Sequence, residues 1–304
     1  MTEPNIPFRA GFVAIIGRPN VGKSTLVNAL MGQKIAAVSP RPQTTRRRQL
    51  GILTLEQAQV VFVDTPGLHI PHHRLGEFMN DEAVASLEHC DLVTWMVDAS
   101  EPPTDEDRLI AKRLAGLPHR PPVLMVLNKV DRLKDEDLSV RQAQFLELAP
   151  FADPLAISAY APADKQRYLD AVLPHLHEGT AFFAEDQITD LYERDIAVDL
   201  IREAALVNLR DEVPHALGVR INEFKERNPQ LYYIGATLLV EKESHKGIVI
   251  GQGGEMLKRI GSMARKSIET MTGLQVFLEL RVKVSKDWRD NPAVLKALGF
   301  AKKG

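Results

Sequence analysis

The segment GRPNVGKST, residues 17–25, puts a lysine and two hydroxyl residues directly behind a pair of glycines. That spacing suits a loop whose backbone amides cradle phosphate oxygens at the start of a helix. Gly17, Asn20, Val21, Gly22, Ser24 and Thr25 would line such a loop. Lys23 should reach the β- and γ-phosphates of a nucleotide, and the Ser24 hydroxyl should bind Mg²⁺. A second group, DTPG at 64–67, adds an acid that can steady Mg²⁺ through water, Asp64, and an amide that can sense a γ-phosphate, Gly67, with Thr65 and Pro66 between them. A third, NKVD at 128–131, reads a base. The Asp131 carboxylate can accept both N–H donors on the Watson–Crick edge of guanine, a pair that adenine lacks. A buried acceptor left unpaired costs about 1–3 kcal/mol. Asn128 can bond the base edge and tie loops together, the Lys129 stem can cover the ring, and Ser158 and Ala159 can offer a backbone amide to guanine O6. The nucleotide expected is GTP, not ATP.

A switch loop should lie in SPRPQTTRRR, residues 39–48. One threonine there should complete the Mg²⁺ shell when the γ-phosphate is present. Thr45 is favoured, with Thr44 the alternative, so the metal set expected is Ser24, Thr45 and Asp64, and the catalytic set Lys23, Thr45 and Gly67. The arginines 46–48 read most simply as a solvated cluster. Leu68 stands where many small GTPases place a glutamine, and a leucine cannot orient the attacking water by hydrogen bonding. His69, His72 and His73 crowd the next segment without a carboxylate or cysteine to complete a metal site, and read as loop histidines. Cys90 reads as a small buried residue.

These groups need rigid elements to hold them. FVAII (12–16), VVFVD (60–64), LVTWMVD (92–98) and VLMVL (123–127) are short continuous apolar runs, the pattern of strands buried on both faces. Helical stretches such as 24–31 and 106–116 alternate with them, which predicts an α/β fold with a mostly parallel sheet and a site at the strand C-termini. After about residue 178 the pattern changes. A linker is expected at 179–190, then a helix over 191–209 whose continuation Pro214 stops, strands over 216–224 and 231–241 joined by the turn KERNPQ, a helix over 255–271 and a strand over 275–284. The domains expected are 1–178, the linker 179–190, and 191–304.

The chain has 304 residues, 44% hydrophobic and 26% charged, which excludes collagen-like, coiled-coil and wholly disordered classes. A single cysteine fits a reducing compartment. No apolar run approaches the roughly 20 residues of a membrane helix, and the N-terminus shows no secretory signal, so a cytoplasmic protein is expected. The net charge is −2, yet residues 205–304 carry 17 Lys and Arg against 11 Asp and Glu. That asymmetry points to a polyanion partner for the second half.

Within that half, VIGQGGEMLKRIG holds Gly251 and Gly254 as a G-x-x-G loop between a short helix and a longer one. Such a loop lets backbone approach phosphates, while adjacent apolar residues form a groove for about four single-stranded nucleotides. Ile250, Gly251, Gln252, Gly253, Gly254, Lys258, Arg259 and Lys266 are the RNA-binding candidates, with Arg265 adding charge and at least two of Ile248, Val249 and Ile250 expected in the core. This half looks like a KH domain.

The GTP boxes with this C-terminal half, which includes IREAALVNLRDEVPHALGVRI and LRVKVSKDWRDNPAVLKALGF, resemble the Era family of bacterial ribosome-assembly GTPases nearly end to end. The resemblance implies an N-terminal phosphate-loop GTPase domain, a smaller α+β KH domain of the helix-first (type II) topology, slow hydrolysis of GTP to GDP and phosphate without a partner, and binding to the 3′ end of 16S rRNA during small-subunit assembly, with no DNA partner. It implies a place for Trp288 beside the RNA groove and, through Asn20, activation by K⁺. It also implies peripheral contact with the inner face of the cell membrane, for which the sequence shows no amphipathic anchor. The rival reading is a mainly structural RNA-binding factor whose RNA affinity ignores the nucleotide.

Overall fold

The structure is a computed structural model that describes residues 7–39, 41, 44–119, 121–133 and 135–300. The first six residues of the N-terminal reading, and Pro40, Pro42 and Gln43 of the switch segment, lie outside the described residues. The chain divides into two compact units. The first comprises 1–35, 46–70 and 79–190; the second comprises 36–45, 71–78 and 191–304.

In chain order the first unit draws on β1 (Arg9–Ile16), α1 (Lys23–Met31), β2 (Gln49–Leu55), β3 (Ala58–Asp64), the part of α2 (Arg74–Ala85) from residue 79 on, β4 (Leu92–Asp98), α3 (Asp105–Ala115), β5 (Val123–Asn128), α4 (Asp135–Leu148), β6 (Asp153–Ala156), α5 (Pro162–Val172) and β7 (His177–Glu178). Its sheet runs β2-β3-β1-β4-β5-β6. All neighbours are parallel except β2 on β3, and β7 adds a short antiparallel pair to β1. The sheet is buried on both faces because its residues alternate between two cores. Val13 and Ile15 of β1 join Leu26, Val27 and Tyr168 on one side, while Ala14 and Ile16 join Trp95, Ile110 and Phe145 on the other. The parallel order brings the C-terminal ends of β1, β3, β4 and β5 to one edge, where the phosphate loop, DTPG, Asp98 and NKVD all lie.

Some boundaries differ from the sequence reading. β2 was not anticipated, because Gln49, Gly51 and Thr54 interrupt its apolar residues and leave no continuous apolar run. The expected linker is built into the first unit: Ile52 donates to the Ile188 carbonyl, Leu50 to Asp190, and Gln59 Oε1 accepts from the Phe182 and Phe183 amides.

The second unit carries α6 (Glu193–Asn208), β8 (Gly218–Asn228), β9 (Leu231–Val240), α7 (Glu243–Ile250), α8 (Glu255–Thr272), β10 (Gln275–Val284) and α9 (Pro292–Ala297). The sheet order is β10-β9-β8, with β8–β9 antiparallel and β9–β10 parallel. Helix-strand-strand-helix-helix-strand is the helix-first order expected. α6 ends at Asn208, before Pro214, so the proline lies in the following turn and does not stop the helix. The hairpin is also tighter than KERNPQ implied, because β8 pairs as far as Asn228. Ile260, Ala264 and Ile268 recur every fourth residue on the buried stripe of α8.

Trp288 is fully buried, and its indole N–H donates to the Ala216 carbonyl at 2.9 Å. Its ring lies so close to Gly218 that a Cβ there would stand 3.2 Å from it. The expected place beside RNA is therefore corrected: Trp288 fills the interior of this unit, and its polar edge is already satisfied. Among the described residues no helix is long and apolar enough to cross a membrane. Trp288→Ala should destabilise the second unit by about 3–5 kcal/mol. Hydrogen exchange of β8 and β9 amides should accelerate accordingly, while β1 and β4 amides keep their protection.

Candidate nucleotide site and candidate RNA groove

The phosphate loop leaves β1 at Ile16 and enters α1 at Lys23. Gly17 and Gly22 have φ of +153° and +110°. A Cβ on Gly17 would stand 2.3 Å from the Met96 carbonyl oxygen, and one on Gly22 2.3 Å from Asn128 Nδ2. Both positions thus need glycine for backbone shape and for close approach. Lys23 is 6% exposed, and its Nζ donates to the carbonyls of Gly17 (3.0 Å) and Arg18 (2.9 Å). Burial pushes its ammonium down to about 8, against an opposing pull from Asp64.

Ser24 Oγ donates to Asp64 Oδ2 at 2.7 Å, and Asp64 is fully buried at the end of β3. A hydroxyl and a carboxylate converging beside a phosphate loop form an all-oxygen donor pair suited to Mg²⁺. Thr45 belongs to the segment 36–45, which clusters with the second unit, and the Thr44 hydroxyl donates to the Arg41 carbonyl. Ser24 and Asp64 are therefore the metal candidates that the structure brings together. Thr65 Oγ1 donates to the Ile15 carbonyl, and a Cβ on Gly67 would stand 2.7 Å from the Pro19 nitrogen, so DTPG packs directly on the phosphate loop.

Asn128 joins the base loop to this frame. Its Nδ2 donates to the Val21 carbonyl at 2.7 Å, and its Oδ1 accepts from the Ala159 amide at 2.9 Å. The Ser158 amide donates to Asp164, so guanine O6 can reach an amide here by sharing the Ala159 proton with Asn128. Lys129, at φ +66°, donates to Asp98 at 2.5 Å. Asn20 is exposed, also in a left-handed conformation at φ +65°.

The remaining candidates sort by burial. Leu68 is 3% exposed and packs in the core. His69 is clamped by Asn80 and the Gly67 carbonyl, and His73 contacts Asp290 inside the second unit. Among the described residues no group of three His, Cys, Asp or Glu could hold a metal. Arg46 is 2% exposed, which corrects the reading of 46–48 as a solvated run. Burial pushes the Cys90 thiol up to about 11, so it is a poor nucleophile.

In the second unit Gly251, Gly253 and Gly254 all have positive φ. A Cβ on Gly251 would stand 2.7 Å from Met256 Cβ, whereas Gly253 and Gly254 face open space. Beside the loop lies an open groove of about 450 Å³. Gly254, Leu257, Lys258, Gly261, Ser262 and Arg265 line one wall; Val276, Phe277, Leu278 and Leu280 of β10 line the other. The α8 residues follow a three- and four-residue spacing that keeps them on one face. Arg259 and Lys266 fall about 100° around the helix from Lys258 and Arg265 and do not line the groove. Of the three apolar residues before the loop only Val249 is buried, and Ile248 is 49% exposed, which corrects the expectation of two in the core. Leu257, Gly261, Ser262 and the β10 residues escaped the sequence reading, although the helical period counted back from Arg265 would have found the first three.

Nucleotide-loop geometry on a mostly parallel sheet, followed by a helix-first αββααβ unit with a G-x-x-G loop, defines a phosphate-loop GTPase joined to a KH domain. Comparison with known proteins agrees. Residues 12–129 match the family described as 50S ribosome-binding GTPase, and residues 212–289 match the KH domain. GTPase Era of Ruminiclostridium cellulolyticum is 44% identical over 96% of this chain and 98% of its own length, and that of Geotalea uraniireducens is 44% identical over 99% and 100%. An Era crystal structure with MgGDPNP and nucleotides 1506–1542 of 16S ribosomal RNA superposes with a TM-score of 0.92 at 38% identity, covering 97% of this chain and all of that one. A variant of Aquifex aeolicus Era bound to GDP and AlF4⁻ superposes with a TM-score of 0.91, also at 38% identity and with the same coverage. The chain belongs to the Era family of GTPases.

The state of Lys23 yields a pH prediction. Phosphates beside the ammonium raise its pKa above the value of about 8 that burial imposes. Nucleotide binding above pH 8 should therefore take up a proton, and affinity should fall as pH rises from 8 to 9.5. Isothermal titration calorimetry at pH 8.8, in two buffers of different ionisation enthalpy, should register that uptake, and Lys23→Ala should abolish it.

Proposed function

We propose that this chain is a GTP-hydrolysing switch that binds the 3′ end of 16S ribosomal RNA and acts in assembly of the small ribosomal subunit in the cytoplasm. One observation carries the reading. A guanine-nucleotide site and an open G-x-x-G groove occur together on a chain that aligns end to end with Era GTPases. The Era complex with MgGDPNP and 16S RNA supports both ligands, and the GDP–AlF4⁻ complex supports hydrolysis to GDP and phosphate.

On this reading Lys23 exchanges the Gly17 and Arg18 carbonyls for the β- and γ-phosphates, and the loop amides neutralise the remaining oxygens. Mg²⁺ held by Ser24 and, through water, Asp64 would offset charge on the β- and γ-phosphate oxygens. Asp131 takes the guanine donors, and the Gly67 amide senses the γ-phosphate. Because Leu68 is buried and cannot hydrogen-bond water, turnover is slow without a partner. Asn20 is the candidate for a K⁺ contact, and hydrolysis is expected to run faster in potassium than in sodium at equal ionic strength. Equal rates in the two salts would remove the ion from the mechanism.

In the second unit the apolar groove wall takes unstacked bases, while Lys258 and Arg265 meet phosphates. Segments 36–45 and 71–78 cluster with this unit. Asp290 there accepts from the Arg74 amide at 3.0 Å and contacts His73 Nδ1 at 2.9 Å. The switch reading, in which the nucleotide state biases RNA affinity, rests on the likeness to Era GTPases.

Fluorescence anisotropy of a labelled 16S 3′-end oligonucleotide, at one fixed salt concentration, tests the coupling. Affinities with GDP and with a non-hydrolysable GTP analogue should differ by about 5-fold or more. Gly254→Asp, which puts a carboxylate where phosphates approach, should abolish binding in both states. Affinity that ignores the nucleotide would instead make the protein an RNA-binding scaffold that holds GTP.

A further inference from the structure

One cluster of charges ties the nucleotide motifs to residues outside them. Asp98 ends β4 beside Asn128, its register partner on β5, and is 4% exposed. It accepts from the Ser100 amide (3.0 Å) and hydroxyl (2.6 Å), and its other oxygen takes Lys129 Nζ at 2.5 Å. The Arg18 guanidinium stands 3.9 Å from the same oxygen, 3.3 Å from Asp107, and bonds Glu101. Asp107 is itself fixed, because it closes the capping box of α3 with Thr104. Burial pushes the Asp98 carboxyl up, but the Lys129 and Ser100 hydrogen bonds outweigh it and hold the group below the ordinary carboxylate range.

Lys129 is the residue whose stem is expected to cover guanine. A lysine side chain has large rotamer entropy, and covering a base costs part of it unless the stem is already held. Here the ammonium is tied to a carboxylate at the next strand end, and the backbone is set left-handed at φ +66°. Asp98 cannot wander: two Ser100 donors fix one oxygen, and Arg18 partly balances its charge. Arg18 in turn connects the cluster to the phosphate loop, since its carbonyl accepts from Lys23.

We propose that Asp98 is a positioning residue for guanine recognition: it acts through Lys129, holding that side chain ready over the base, with Arg18 as counter-charge. This rests on the reading of the site as a guanine-nucleotide site. Asp98→Asn keeps the size of the side chain and an oxygen for Ser100, but its amide cannot accept from Lys129 while donating in that direction. The test compares affinities of the full chain for a fluorescent GDP and for inorganic tripolyphosphate. Asp98→Asn should weaken GDP by about tenfold. It should leave tripolyphosphate unchanged, and it should have no further effect in a Lys129→Ala background. Ser100→Ala, which loosens Asp98 without removing its charge, should weaken GDP in the same direction by less, and it keeps the test open if Asp98→Asn fails to fold. Unchanged or tighter GDP binding, a matching loss for tripolyphosphate, or an equal loss in the Lys129→Ala background would overturn the proposal. Failure of the unsubstituted chain to bind GDP would instead overturn the guanine reading itself.

Discussion

The nucleotide site hangs on the carboxamide of Asn128. Its two ends bond carbonyl and amide groups of different loops, Val21 in the phosphate loop and Ala159 after β6, and all three residues are buried. A carboxamide suits this place because it offers a donor and an acceptor at a fixed spacing without net charge. A carboxylate would leave the Val21 carbonyl facing an acceptor, and an aliphatic residue would leave both groups unpaired in a dry interior. Gly22 is a consequence of the same contact, since any side chain there would collide with the amide. Phosphate and base recognition are thereby set at one distance from each other before a nucleotide arrives.

Around that frame the charges follow a single electrostatic logic. Lys23 and Lys129 each lie near an aspartate at a strand end, Asp64 and Asp98. Burial lowers the pKa of Lys23, whose ammonium donates to two neutral carbonyls, while Lys129 donates to a carboxylate. The difference suits the roles proposed for the two side chains, Lys23 moving to phosphate oxygens and Lys129 staying over a ring.

The second unit solves a different problem, that of letting a polyanion come close without a deep pocket. Small residues do it. Gly254 and Gly261 lower one wall of the groove, the edge strand β10 forms the other, and two exposed cations on α8, Lys258 and Arg265, supply attraction. The loop carries Gln252 and Gly253, so on the proposed reading the positive charge of the groove comes from α8. Phe277 extends that wall at the sheet edge, 56% exposed and stacked on Tyr233.

The sequence by itself determined the phosphate loop, DTPG, NKVD and G-x-x-G, the buried strands before the first three, and the main elements of the second half. Each depends on neighbouring residues: a loop that wraps phosphate needs its glycines within a few positions, and a buried strand or helix face declares itself by periodicity. Tertiary structure decided what depends on distant partners. Trp288 and Arg46 are polar-tipped side chains whose exposure cannot be read locally; one is enclosed against Gly218 and Ala216, the other is 2% exposed. Residues 179–190 look like a linker because they lack an apolar period, yet their backbone completes hydrogen bonds of β2 and of Gln59. The Arg18–Asp98–Lys129 cluster joins residues from three strand ends, and only the parallel order of the sheet makes them neighbours.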